Sequence, residues 1–173
     1  MERPVRTTRA SNYFCFPFDP AIDTVPPAFL AGGGGVQSTA ADYAKLLQML
    51  LDEGTYTRED GTRVQILRPE TVRFMRTNQL TDEVRATMAE NGVGANVPGY
   101  GYSNLFRILV APNEARVLGV GGHAGEYGWD GASGNFCLID PEANLVAVFQ
   151  MHCYQGGEPI FRRKLYRAIV AED

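Results

Sequence analysis

Residues 32–54 constrain the fold of this chain more than any other segment. Glycines at 32–35 let the backbone enter positive φ and let other segments approach without a Cβ in the way. A helix start follows, because Thr39 can cap the first turn and Asp42 stands at the capping-box position. Gly54 is typical of a residue just past a helix end. The segment predicts a glycine-walled loop that leads into a helix over 39–53.

The apolar residues of this helix recur at the spacing of one buried face. Positions i, i+3, i+4 and i+7 are occupied by Tyr43, Leu46, Leu47 and Leu50. We therefore expect these four side chains to pack on the core and to anchor the helix behind the glycine loop.

A second informative segment starts at Gly128 and is crowded with small residues before it becomes strand-like. Alternation from Asn135 onward predicts a strand over 134–140, and the Asp-Pro start of 140–144 predicts a turn. The apolar, β-branched run after it predicts a strand over 144–152 that is buried on both faces. These features indicate an antiparallel hairpin whose first strand begins with backbone that a ligand could approach. Glycines at a strand start are also typical of simple bulges, so both interpretations remain open.

The order of the remaining elements indicates the fold class. We expect an irregular, proline-rich arm over 1–31 and one domain over 32–173. The further elements are a helix over 69–77, a polar connector over 78–98 with a helical turn near 83–90, strands over 99–110 and 115–121, and a closing helix over 159–171. Helices first and strands later predict an α+β fold, an antiparallel sheet with N-terminal helices and a packed C-terminal helix.

In this order the motifs resemble the C-terminal half of the serine β-lactamase and penicillin-recognising hydrolase superfamily, with the class C-like esterase branch closest. The active-site strand of that family carries Lys-Thr-Gly, often replaced by Trp-Gly-Gly in the esterases, and Trp129-Asp130-Gly131 matches it position by position. Residues 66–72 resemble the family's helix after the glycine loop, and 99–102 its first C-terminal strand. The resemblance covers roughly residues 30–170 and implies that 32–173 is a partial β-lactamase-like domain.

The family's nucleophile is missing from the chain. That serine stands in Ser-x-x-Lys, where the lysine or a neighbouring tyrosine accepts its proton. The serines here are Ser11, Ser38, Ser103 and Ser133, and none is followed by lysine three residues later. Tyr102-Ser103-Asn104 matches the second family motif, Tyr-x-Asn, in letters, but it lies downstream of the glycine loop and within a predicted strand. We interpret that tyrosine as structural and expect the chain to be inactive alone.

The resemblance implies a role for several residues near the Lys-Thr-Gly position. The backbone N–H of Ala132 would be an oxyanion donor, while Trp129, Asp130 and Gly131 would contact substrate. Trp129 replaces a cation that grips the carboxylate of a β-lactam, which favours esterase-like or other substrates over β-lactams. Asp130 departs from the family's usual Gly or Thr and adds negative charge at the rim. His123, in a glycine-rich loop, could also contact substrate, although a lone histidine is more often a hydrogen-bonded bystander.

The resemblance therefore implies the C-terminal portion of a hydrolase that acts on a small-molecule ester or amide through an acyl-enzyme. Its partner would be a missing N-terminal half or a second copy of the chain. The alternative is a non-catalytic binding or interaction module that completes a site with another chain.

Composition excludes several other classes. The net charge of −4 argues against nucleic-acid binding, and no apolar run is long enough for a membrane helix. Three cysteines do not form a disulfide framework, and the first ten residues lack the apolar core of a secretory signal, so a reducing, cytoplasmic compartment is favoured. No spacing suits zinc, and no glycine motif suits a phosphate or dinucleotide, so we expect no metal or cofactor.

Overall fold

A computed structural model of the protein describes residues 38–90, 98–116, 122–131, 134–150 and 168. The helices in these ranges are α1 (Ala40–Leu51), α2 (Pro69–Met75), α3 (Asp82–Glu90) and α4 (Pro112–Arg116). The strands are β1 (Thr55–Thr57), β2 (Arg63–Gln65), β3 (Tyr100–Tyr102), β4 (Arg107–Leu109), β5 (Tyr127–Asp130), β6 (Phe136–Asp140) and β7 (Leu145–Phe149). The predicted α+β class is confirmed. The arm over 1–31 lies outside the described residues, as does the closing helix over 159–171 except for Ala168, which is helical.

Helix α1 begins where its capping chemistry predicts. The hydroxyl oxygen of Thr39 accepts a hydrogen bond from the backbone N–H of Asp42 at 3.1 Å. The same hydroxyl donates to the carboxylate of Asp42, also at 3.1 Å. This reciprocal contact satisfies one of the free N–H groups of the first turn and fixes the direction in which the chain enters the helix.

Helix α1 ends in a Schellman motif. The backbone N–H of Gly54 donates to the Met49 carbonyl at 2.8 Å, and that of Glu53 donates to the Leu50 carbonyl at 3.2 Å. The residue that first turns into the left-handed region is Glu53, with φ 53°, and Gly54 follows with φ 89°. Gly54 also lies against the next segment, since a Cβ there would be 2.2 Å from the carbonyl oxygen of Leu67.

Three of the four residues predicted for the buried face of α1, namely Tyr43, Leu47 and Leu50, pack on the core. Leu46 is 44% exposed, so its predicted place in the core is wrong. The helix packs on β6 and β7 through Tyr43, Leu47, Leu50 and Leu51, so that Leu51 joins the buried face and Leu46 does not. Met49 is also buried. The spacing i, i+4, i+7 and i+8 is equally helical, and the direction of the underlying strands decides which side faces inward.

Strands β3 to β7 form one antiparallel sheet in which each strand pairs with its neighbours in sequence. On one face, Ile108, Tyr127, Cys137 and Ile139 join the core beneath α1. On the other face, buried Tyr100 and Leu109 form a cluster with Ala115, while Phe136 and Leu138 form another. Because side chains alternate along a strand, the sheet supplies both cores at once.

The predicted strand over 99–110 is two strands joined by a turn. Ser103 follows β3, and its hydroxyl oxygen accepts hydrogen bonds from the N–H groups of Leu105 at 3.4 Å and Phe106 at 3.1 Å. The predicted strand over 115–121 is wrong at its start, because the chain from Pro112 to Arg116 is α4. Proline at a first helical position and an acidic residue in the first turn both favour that helix. Residues 117–121 lie outside the described part.

The predicted hairpin near the C-terminus is confirmed. β6 pairs with β7 from Asp140 opposite Leu145 to Phe136 opposite Phe149. The turn over 141–144 closes at Asn144, which adopts φ 50°. Residues 129–136, however, are not one strand. β5 ends at Asp130 and β6 begins at Phe136.

Candidate active-site wall at the β5–β6 turn

The β5–β6 pairing places the residues of the Lys-Thr-Gly position at one end of the sheet. Trp129 lies opposite Cys137, and Asp130 lies opposite Phe136. Beyond Asp130 the chain turns, and the N–H of Gly131 donates to the carbonyl of Asn135 at 2.7 Å. Ala132 and Ser133 lie outside the described residues, so the oxyanion role of Ala132 stays a prediction.

A cavity of about 340 Å³ opens at this end of the sheet. It is lined by Ser38, Tyr43, Trp129, Asp130, Gly131, Asn135, Phe136, Cys137, Val148, Phe149 and Gln150. The predicted site residues Trp129, Asp130 and Gly131 therefore meet the start of α1, which follows the glycine loop. Aromatic and apolar side chains make up most of the walls, with amide and hydroxyl groups among them, which is typical of small-molecule sites.

Tyr43 and Cys137 form a polar contact in this cavity. The Tyr43 hydroxyl donates to the Sγ of Cys137, with 3.8 Å between the two atoms. Burial, with a smaller contribution from the cysteine, raises the pKa of Tyr43 to about 12. Tyr43 is therefore protonated at neutral pH and acts as a hydrogen-bond donor. Sequence reasoning assigned Tyr43 to the core and missed its place in the site.

Asp130 forms an ion pair with Arg107 of β4. Arg107 is only 4% exposed and lies opposite Gly128, so it shares a face of the sheet with Asp130 two residues farther along β5. The Arg107 guanidinium lies over the ring of Tyr100, at 4.6 Å from the centroid. Sequence reasoning missed Arg107, although a lone arginine within the apolar run 106–110 was an available signal.

Trp129 is 42% exposed and packs against a neighbouring aromatic ring. Its ring meets that of Tyr102 edge to face, with 5.5 Å between centroids. Tyr102 belongs to β3, which ends the described sheet, and the hydroxyl of Ser103 is occupied by the turn that follows. Tyr102 and Ser103 of the Tyr102-Ser103-Asn104 match therefore support the Trp129 ring and the turn after β3.

His123 lies at the other end of β6 from the cavity. Its Nδ1 is 2.8 Å from an Oδ of Asp140, which is fully buried at the far end of the strand from Phe136. Four residues of strand separate those two ends by about 13 Å. The hydrogen bond to Asp140 raises the pKa of His123. The structure does not bring His123 into the cavity with Trp129, Asp130 and Gly131.

Within the described residues, no three histidine, cysteine or acidic side chains converge in a way that could hold a metal ion. None of the helices in the same ranges is both long enough and apolar enough to span a membrane.

The sequence comparisons identify relatives along the chain. The family model Beta-lactamase matches residues 2–172. Protein MT1414 of Mycobacterium tuberculosis strain CDC 1551 / Oshkosh, described as uncharacterized, is 34% identical over 165 residues, which cover 83% of this chain. Protein Rv1367c of strain ATCC 25618 / H37Rv matches with the same identity and coverage. The chain spans 39% of the length of these two relatives.

Solved structures share the fold. The LovD6 mutant of simvastatin synthase (LovD) from Aspergillus terreus has a TM-score of 0.59 and 22% identity, covering 82% of this chain and 36% of LovD. Unliganded LovD gives the same TM-score at 21% identity, covering 82% of this chain and 37% of LovD. The family model extends over nearly the whole chain, and the fold agrees with it. This protein therefore belongs to the Beta-lactamase family.

Proposed function

We propose that this chain forms one wall of an acyl-transfer site, as the C-terminal portion of a serine β-lactamase-like hydrolase acting on an ester or amide. The observation that carries the proposal is the cavity where Trp129, Asp130 and Gly131 meet the start of α1. The nucleophile would come from a Ser-x-x-Lys outside these residues, because no serine of the chain has lysine three residues later. We therefore expect the chain alone to be inactive.

The proposed chemistry follows from the groups around the cavity. A substrate carbonyl would lie along the turn after Gly131, where the N–H of Ala132 would stabilise the developing oxyanion. One such donor contributes roughly 3–4 kcal/mol to transition-state stabilisation. The aromatic and apolar walls would hold the acyl group.

The acceptor of the acyl group separates hydrolysis from transfer. The LovD structures carry the name of a synthase, whereas the family name refers to a hydrolase. Both fit one acyl-enzyme, which reacts with water in a hydrolase and with a second substrate in a transferase. We place the chain with the hydrolases, because its sequence resembles the esterase branch.

The alternative function is a non-catalytic binding module that completes a site with another chain. The observation that favours it is the missing Ser-x-x-Lys. The sequence encoded immediately upstream of Met1 separates the two candidates. A Ser-x-x-Lys there supports the enzyme, and its absence supports the binding module.

The direct test is catalysis by the 173-residue chain. We expect no hydrolysis of p-nitrophenyl butyrate or nitrocefin by the chain alone, and turnover after addition of a folded segment that carries Ser-x-x-Lys. Gly131→Val in the chain should then abolish the restored turnover, because a β-branched side chain at this lining position would block the path of the substrate. Turnover by the chain alone that disappears with Ser133→Ala would contradict the proposal.

A further inference from the structure

We propose that Asp130 is a specificity-determining residue, which occupies the Arg107 guanidinium and so makes the cavity select uncharged carbonyl compounds over carboxylates. This inference rests on the proposed function, since it names the substrate class of the same site. It concerns which ligands the cavity accepts, and it is testable without catalysis.

Among the described residues that line the cavity, only Asp130 carries a formal charge at neutral pH. Trp129 stands at the position where the family motif has lysine. A ligand carboxylate would therefore meet a negative side chain and no lining cation. Moving a carboxylate from water into such a site is unfavourable unless a positive group compensates it.

Arg107 is the cation that could have compensated a carboxylate here. It is held on β4 beside the Lys-Thr-Gly position, and a guanidinium binds carboxylates through a planar fork of donors. Asp130 already supplies a carboxylate to that fork, while the Tyr100 ring lies against the guanidinium. The protein thus provides from its own chain the anion that a substrate would otherwise contribute.

The burial of Arg107 stabilises its ion pair with Asp130. With 4% of its surface exposed, Arg107 has lost most of its hydration and requires a permanent counter-ion. Asp130 comes from the adjacent strand, on the same face, so the sheet itself holds the two charges together. A dissolved carboxylate would have to displace a partner that is covalently tethered in place.

The walls of the cavity suit a ligand with an apolar group. Tyr43, Phe136, Val148 and Phe149 provide apolar and aromatic surface within the cavity. Uncharged aryl or alkyl groups next to an ester or amide carbonyl suit these walls, because their burial removes apolar surface from water. The same group with a free carboxylate would have to bring its charge up to Asp130.

The test uses Trp129, the only tryptophan of the chain, whose fluorescence reports directly on the cavity. We would titrate the full chain with phenylacetamide and with phenylacetate, which share a ring and differ in charge. We expect the amide to bind roughly tenfold more tightly, from Coulomb repulsion between the anion and Asp130. Added NaCl should strengthen phenylacetate binding by screening that repulsion and leave amide binding unchanged.

Asp130→Asn tests the assignment to this residue. It removes the negative charge from the cavity lining and leaves the positive charge of Arg107 behind it uncompensated, so phenylacetate should become the preferred ligand, and salt should now weaken its binding. Asp60→Asn removes the same charge at an exposed position between β1 and β2, away from the cavity lining, and should keep the wild-type preference.

The possible results separate the two proposals. Equal binding of both ligands by the wild-type chain would contradict the selection by Asp130 but would still support the proposed ligand site. No change in Trp129 fluorescence with either ligand, in a folded protein, would overturn the site and the selection together. If Asp130→Asn does not fold, the wild-type salt dependence decides, and phenylacetate binding that weakens with salt would contradict the inference.

Discussion

Gly128 and Gly131 lie three residues apart and face opposite constraints. A Cβ at Gly128 would be 2.1 Å from the carbonyl oxygen of Cys137, on the paired strand β6. A Cβ at Gly131 would meet only the side chain and carbonyl of Asn135, at ordinary contact distances of 3.5 Å or more. The sheet therefore requires glycine at 128, whereas at 131 the open space belongs to the cavity.

Alanine substitutions should separate these two glycines. Gly128→Ala should lower the free energy of unfolding by roughly 1–3 kcal/mol, because the new methyl group pushes β5 away from β6. Gly131→Ala should change it by less than about 0.5 kcal/mol, as expected at a position with room for the new atom. Urea unfolding followed by circular dichroism measures both, and equal losses would show that Gly131 also has a packing role.

The ion pair of His123 makes stability depend on pH. The Asp140 hydrogen bond raises the His123 pKa, the charges of Asp140 and Glu142 add to this effect, and burial and Arg116 oppose it. The hydrogen bond therefore stabilises the fold fully below the pKa of His123 in the unfolded chain, about 6.5. This stabilisation is lost as the pH rises through the higher pKa of His123 in the folded protein. The difference in unfolding free energy between wild type and His123→Gln should shrink from about pH 5.5 to 8.5. A difference independent of pH would contradict this role.

At the scale of elements, local chemistry explains what the sequence could predict. Three features depend on contacts within a few residues, so the sequence predicts them: the Thr39 cap, the Pro69 start of α2 and the Asp-Pro turn between β6 and β7. β5 was not predicted as a separate strand, because Gly128-Trp129-Asp130 has no apolar alternation. Its conformation depends on pairing with β4 and β6 on both sides.

The site was predictable only in part for the same reason. Trp129, Asp130 and Gly131 were found through a contiguous motif. Arg107 and Tyr43 were missed because they reach the same end of the sheet through strand register and helix packing. Those relations are set by tertiary structure, and no spacing along the chain records them.

The end of α1 offers a matched test of backbone strain against steric contact. Gly54 and Gly61 both adopt positive φ, 89° and 83°, but only Gly54 lies against a neighbouring segment, at Leu67. Gly61→Ala should cost about 1 kcal/mol from the left-handed conformation alone. Gly54→Ala should cost at least about 1 kcal/mol more, because the Leu67 backbone must shift. Thermal unfolding of both variants gives the comparison, and equal costs would mean that the 66–67 segment moves freely.

At the scale of the whole molecule, exposed apolar side chains accompany the partial coverage of the relatives. The chain spans 39% of the length of its mycobacterial relatives. Among the described residues, the large hydrophobic side chains that remain exposed are Leu46, Ile66, Phe74, Val84, Leu105, Val110 and Trp129. Apolar surface of this kind marks a place where another chain or segment packs when it forms a contiguous patch.

We expect the purified chain to self-associate or to bind a hydrophobic dye at micromolar concentration. Light scattering coupled to size-exclusion chromatography measures the mass, and the fluorescence of an added naphthalene sulfonate dye measures the apolar surface. A single monomeric species with low dye fluorescence and cooperative unfolding would show instead that the chain is a self-sufficient domain.

The strand order also has a consequence for how the protein acquires its cavity in time. Each strand from β3 to β7 pairs with its neighbour in sequence, so the sheet assembles through short loop closures. The packing of α1 on this sheet requires a longer loop closure, because Tyr43 and Cys137 are 94 positions apart in the chain. Closing that long loop has the larger entropic cost and should follow the sheet. A ligand of the cavity would then act on the last step of folding, slowing the departure of α1 while leaving the rate of sheet formation unchanged.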